Sequence, residues 1–97
     1  PLERIAEITS YQVAKAFNLE EKGKIEVGAD ADFAIVDLEK TKTITPEILH
    51  SESDYSVYEG MEAQGWPVYT INRGEMIVKD GKPTKELGRG KYIKRSI

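Results

Sequence analysis

The 97-residue sequence has no cysteine, one histidine (His50) and one tryptophan (Trp66). Without cysteine there are no disulfides and no thiolate sites, a composition that suits a reducing compartment. A single imidazole leaves a zinc or transition-metal centre short of its preferred ligands. No apolar run approaches the about 20 residues that a membrane helix needs, and no signal-peptide pattern precedes Pro1. Charge of one sign is also scarce. The 14 basic and 17 acidic residues are mixed along the chain and sum to −3, which leaves no broad basic face for nucleic acid and no polybasic membrane patch. The expectation is a soluble, cytoplasmic protein that binds neither nucleic acid nor membrane.

A chain of this length supports one small domain, with roughly 60 to 70% of its unfolded surface buried. It opens at Pro1 without an initiator Met, and Leu2, Ile5 and Ile8 set out a helical stripe at once, so a piece of a longer protein is expected. Thr9 and Gln12 have the spacing of a capping box, with Ser10 as a competing cap, and predict that the helix restarts through "YQVAKAF". Val13, Ala14 and Phe17 then share a face, and Asn18 is placed to end the helix in a left-handed cap.

From Glu20 the pattern turns to β. "KIEV" alternates, Gly28 ends it, and "FAIVD" is a continuous apolar run of the kind found in a strand buried on both faces. "KTITP" is a third short strand candidate. Thr45, Pro46 and Glu47 read as cap, first-turn proline and acidic first turn of a helical segment reaching His50. Residues 51–66 lack a sustained period and read as a long ordered loop with a helical turn. "PVYTINRGEMIVKDGKP" reads as strand, turn at Asn72 to Gly74, strand, and a second hairpin turn at Asp80-Gly81. The tail from residue 84 to 97 is basic and hinged by glycine.

The candidate functional residues are few. Asp30, Asp32 and Asp37 crowd into "KGKIEVGADADFAIVD", but a calcium loop counted from Asp30 would place Ile35 at its glycine and Ile35's distant counterpart Thr41 at its bidentate glutamate, so the pattern fails. The acids are expected to shape a turn: Gly28 supplies a positive φ, Asp30 closes an Asx turn, Ala31 fits the corner and Asp32 leads into the strand. His50 and Ser51 are adjacent and lack a third group, which favours a helix-end histidine over a nucleophile and base. Tyr55, Tyr58 and Trp66 either line a ligand pocket or pin the long loop to a neighbouring surface, the second being favoured. "GRGKYIKR" follows no strand and opens no helix, so a mobile or docking tail is preferred to a phosphate loop. No catalytic, cofactor-binding or metal-ligating residue is assigned in this chain.

"EKGKIEVGADADFAIVD" resembles the segment with which amidohydrolase-superfamily enzymes re-enter their small β domain after the catalytic barrel. "HSESDYSVYEGMEAQGWPVYTINRGEMIVKDGK" and "GRGKYIKR" resemble the C-terminal region of the cyclic amidohydrolases, nearest the hydantoinase and dihydropyrimidinase group, with dihydroorotases and allantoinases as relatives. In "ITSYQVAKAFNL" those relatives usually carry Asn-Pro-Ala-Lys and a glycine near the helix end. Here Tyr11 and Gln12 precede Val13-Ala14-Lys15, and Asn18 stands in the glycine's place.

The resemblance implies a mainly β fold with short helices, the C-terminal part of a composite β-sandwich attached to a (β/α)8 barrel. Residues 1–19 would be the last helical elements of the barrel, and residues 20–97 part of the small β domain. It further implies a parent enzyme that hydrolyses cyclic amide or imide C–N bonds of hydantoin or dihydropyrimidine type, with two zinc ions, a carbamylated lysine, histidines and an aspartate supplied from upstream barrel strands. The 97 residues alone would then be inactive. The alternative is part of a non-catalytic dihydropyrimidinase-like scaffold, or of a dihydroorotase or allantoinase. The expected partners are the remainder of the parent and further copies of it, because a composite sheet cut from its partner exposes an edge.

Overall fold

A computed structural model describes residues 1–84 and 88–96. The order is α1 (Leu2–Ala6), a π-helical turn (Glu7–Tyr11), α2 (Gln12–Ala16), β1 (Phe33–Thr43), a 3-10 turn (Pro46–Leu49), β2 (Glu62–Asn72), β3 (Glu75–Lys79) and β4 (Lys82–Pro83). The four strands form one antiparallel sheet in the order β1-β2-β3-β4. The fold is mainly β with short helices.

The expected helix restart does not occur. Thr9 caps nothing; its hydroxyl donates back to the Ile5 carbonyl at 2.7 Å, and the ladder widens into the π turn without breaking. The other end follows expectation. Asn18 adopts φ 56°, its N–H donates to Lys15, and the Leu19 N–H donates to Ala14 at 2.8 Å, the paired bonds of a left-handed cap.

"KIEV" forms no strand. Ile25 is 85% and Val27 103% exposed, and the segment ends in a turn closed by the Ala29 N–H on the Glu26 carbonyl. Alternation selects a strand only where a neighbouring backbone completes the ladder, and among the described residues no strand pairs with it. "FAIVD" is a strand, though not a buried one: Ile35 and Val36, on opposite faces, and Leu38 beyond them are exposed because among the described residues no helical element covers either face of β1.

β1 also absorbs the start of the separate "KTITP" strand candidate. It runs on through Thr43 opposite Glu62, with register shifts between Ile35 and Val36 and between Asp37 and Thr41. The second shift lies opposite Gly65, whose φ of 88° suits the irregular backbone there. The long loop is correspondingly shorter than expected, since residues 62–66 lie in β2. The helical segment after Thr45 is a 3-10 turn that ends at His50 with φ 53°, and Thr45 makes no side-chain cap.

Both hairpin turns form where expected. Arg73-Gly74 and Asp80-Gly81 have φ of 47° and 79°, and 49° and 78°, the positive pairs that match the twist of the flanking strands.

Among the described residues only Ala14 is a buried hydrophobic, at 6% exposure. The chain exposes 8052 Å² and has a radius of gyration of 15.3 Å. A self-contained domain of this length would expose about 5,600 Å² and have a radius near about 12.5 Å. Apolar side chains on the helix (Leu2, Ile5, Phe17) and on β1 account for part of that excess.

Candidate functional site

Two of the three acids that drew attention in the sequence, Asp30 and Asp32, meet at the junction between the segment after the helix and the β2–β3 turn. Lys22 reaches back from its turn to Asp30 Oδ2 at 2.8 Å and to Asp32 Oδ2 at 2.5 Å. The other oxygen of Asp32 accepts from the Arg73 backbone N–H at 2.8 Å and from Asn72 Nδ2 at 3.2 Å. Main-chain bonds reinforce the junction: Asp30 N–H to the Glu21 carbonyl and Gly74 N–H to the Ala31 carbonyl, both at 2.9 Å. Gly23 makes the approach to the helix possible, because a Cβ there would sit 2.6 Å from the Ser10 carbonyl oxygen and 2.8 Å from Ala14 Cβ.

The electrostatics follow from that geometry. Hydrogen bonds to Asp30 and then Asp32 hold the Lys22 ammonium above its ordinary pKa. Partial burial by itself would raise Asp32, but the Lys22 hydrogen bond, the Arg73 N–H and the two cations outweigh it and lower the carboxyl's pKa. The junction is therefore an ion pair with its lone pairs already occupied, and its chemistry is that of a staple.

The turn forms, by a different route from the one expected. Asp30 spends its carboxylate on Lys22, and the corner is closed by the Asp32 N–H on the Asp30 carbonyl at 3.0 Å. The Asx-type bond belongs to Asp37, whose Oδ1 accepts from the Glu39 N–H at 3.0 Å within the irregular part of β1. Gly28 has the expected positive φ of 93°.

His50 and Ser51 do not act on one another. His50 Nε2 donates to the Gly81 carbonyl at 3.0 Å, and Ser51 Oγ accepts from the Ser53 N–H. Tyr55 and Tyr58 are exposed, and Trp66 lies in β2 with Lys42 Nζ 5.5 Å from its ring centroid, a cation–π arrangement. None of the three aromatics lines the ≈ 700 Å³ cleft beside the junction, whose walls include Asn18, Lys22, Asp30, Arg73, Tyr92 and Lys94.

The basic tail docks. Arg89 Nη2 donates to the Asn72 carbonyl at 3.3 Å and pairs with Glu75 at 3.2 Å, and Ser96 bonds Asn18 and Glu20. Residues 85–87 and 97 of that tail lie outside the described residues.

Asn72 and Arg73 were read from the sequence only as part of a turn, and Arg89 only as part of a basic tail. Their signal is weak: an arginine beside a turn glycine, and another in a basic tail.

Among the described residues no group of three or more His, Cys, Asp or Glu side chains could hold a metal ion, and none of their helices is long and apolar enough to cross a membrane. The residues present do not fit the pair of zinc ions that the resemblance implies.

Comparison with known proteins completes the description. A model of the amidohydrolase family matches residues 1–77. The chain is 42% identical over 94 residues to a D-phenylhydantoinase of Escherichia coli O127:H6, covering 96% of this chain and 20% of that protein. It is 41% identical over 93 residues to a dihydropyrimidinase of Rattus norvegicus, covering 95% and 18%. The crystal structure of dihydropyrimidinase from Brevibacillus agri NCHU1002 superposes with a TM-score of 0.89 at 38% identity, over 94% of this chain and 20% of that one. The chain thus spans about a fifth of the length of these relatives.

Proposed function

The chain belongs to the amidohydrolase family, and from that premise we propose that it is the C-terminal structural part of a metal-dependent cyclic amidohydrolase. The observation that carries the reading is the uncovered surface. The chain exposes 8052 Å², an excess of about 2,500 Å² over a self-contained domain, on the scale that a large obligate interface buries. Relatives about five times its length offer the polypeptide to cover it.

In this reading residues 1–19 close the barrel, and the sheet of β1–β4 is completed by strands from elsewhere in the parent. Residues 51–66 and the tail supply contacts between copies of the parent, in the cytoplasm. The reaction adds water across a ring C–N bond of a cyclic amide or imide: the C–N bond breaks, the acyl carbon gains the hydroxyl oxygen, and the ring nitrogen takes the proton. The metal, the carbamylated lysine and every catalytic residue come from outside these 97 residues. What this chain contributes is the junction at Lys22, Asp32 and Arg73, which sets where the chain leaves the helix and enters the sheet.

The test compares two samples on hydantoin and dihydrouracil. The metal-loaded parent containing these residues is expected to open the ring and to lose that activity on chelation, while the isolated 97-residue chain does neither. A correctly folded, metal-loaded parent that opens neither ring would overturn the hydantoin or dihydropyrimidine reading, in favour of a scaffold protein or of a hydrolase of a different cyclic amide. Activity in the isolated chain would overturn the structural one.

A further inference from the structure

Among the described residues no helical element packs directly on a strand of the sheet. The helix end and the sheet are joined by the Lys22 junction and, independently, by the tail. At one end of the tail the Arg73 guanidinium, carried on the β2–β3 turn, donates to the Arg89 carbonyl, and Arg89 returns a bond to the Asn72 carbonyl and pairs with Glu75. At the other end the Ser96 N–H donates to the Asn18 carbonyl at 3.2 Å and its hydroxyl to Glu20 at 3.3 Å. Lys91 to Arg95, between the two, are exposed. A segment bonded at both ends and exposed along its length has the mechanics of a strap.

The bonds form a closed circuit. It runs from the helix cap at Asn18 along the chain to Lys22, across the ion pair to Asp32, through Arg73 to Arg89, and along the tail to Ser96 and back to Asn18. The ≈ 700 Å³ cleft is the interior of that circuit, and Lys91 to Lys94 form its outer wall.

We propose that residues 88–96 are a releasable strap that ties the helix end to the β2–β3 turn, a second tie beside the Lys22 junction that holds only while the Arg73–Arg89 exchange is made. The exchange is incomplete in a way that favours release: Arg89 Nη1 is shielded from solvent and has no hydrogen-bond partner among the described residues, a state in which a donor gains by opening to water. Glu75, the anion that Arg89 faces, is more than half exposed, so its hold is screened by salt. When the strap opens, the cleft loses its outer wall and the helix is held through the Lys22 junction and the Gly23 contact.

Amide hydrogen exchange on the whole chain, as it stands and as Arg89→Ala, tests the strap. Release should speed exchange at Arg73 and Gly74, next to the latch, and also by about tenfold or more at Asn18, Leu19 and Lys22, whose amides are bonded at the far end. Acceleration confined to residues 73–75 and Lys22, or none at all, would overturn the proposal, because a tail that merely lies on the hairpin acts no further than the Lys22 junction, whereas the Ser96 bond carries its release to Asn18 and Leu19. Should Arg89→Ala lose protection throughout, Arg89→Lys serves in its place: it keeps the charge and loses the forked donor, and the same two-ended pattern is required of it.

Discussion

Asp32 shows how much one side chain can organise. It accepts from Lys22, from Asn72 and from the Arg73 backbone, joining residues that are 10, 40 and 41 positions away in sequence. Asp32→Ala leaves the Arg73 N–H and the Asn72 amide without an acceptor and should cost about 1–3 kcal/mol, read as a lower urea midpoint. Asp32→Asn retains an acceptor and should cost less. The pH dependence has a definite sign. With its folded pKa lowered, Asp32 contributes stability that is complete above its unfolded value near about 3.9 and is lost as pH falls through the lower folded value. Lys22, raised, contributes below about 10.4 and loses its share as pH rises through the higher folded value. Urea titrations across the acid range should therefore show the Asp32→Asn chain losing less stability on acidification than the parent chain. Gly23 is the other residue without a substitute. Gly23→Ala combines a φ of +77° with a Cβ driven onto backbone oxygen, and should lower stability by at least about 2 kcal/mol in thermal or urea unfolding.

At the scale of elements, the two hairpin turns work by backbone sterics alone. Gly74 has φ +79° and open space around the position a Cβ would take. Gly74→Ala should therefore cost only the left-handed penalty of about 1–2 kcal/mol, measurably less than Gly23→Ala in the same unfolding experiment, and equal costs would mean that the Gly23 contact relaxes. The helix teaches the reverse lesson. Thr9, Ser10 and Gln12 carry the letters of a capping box, yet Thr9 bonds back to Ile5 and Gln12 Nε2 reaches Glu7, so the residues that should start a second helix instead sustain a π turn within one. The left-handed cap at Asn18 then turns the chain back so that Gly23 lies against Ser10 and Ala14, and Ala14 becomes the one buried apolar side chain among the described residues.

The whole molecule is too open for its length, and its β1 edge carries exposed Ile35, Val36 and Leu38. An apolar strand with an unpaired edge recruits a neighbour. Isolated, the 97-residue chain should self-associate, eluting on calibrated size exclusion with light scattering well above its monomer mass. Ile35→Lys with Leu38→Lys should move it toward monomer. A monomeric parent chain would show that β1 needs no partner, and with it the composite-sheet reading would fall.

The hairpin turns and the left-handed cap at Asn18 were legible in the sequence because they are decided within a few residues. Asn18, Arg73-Gly74 and Asp80-Gly81 occupy left-handed backbone, a choice that residue type and immediate neighbours favour. Strands were legible as apolar runs in "FAIVD" and in the β2–β3 hairpin, and their pairing only in the hairpin, where both partners are close in sequence. For "KIEV", for the length of β1 and for residues 62–66, the outcome turned on which backbone lay alongside, and periodicity carries no information about a neighbour distant in the chain. The same holds for the junction. The aspartates could be assigned to a turn from their spacing, but that Asp32 would hold Arg73, that Asp30 would hold Lys22 rather than its own backbone, and that the tail would return to Asn18 were decided by tertiary structure alone, because charged side chains find partners in space and not in sequence.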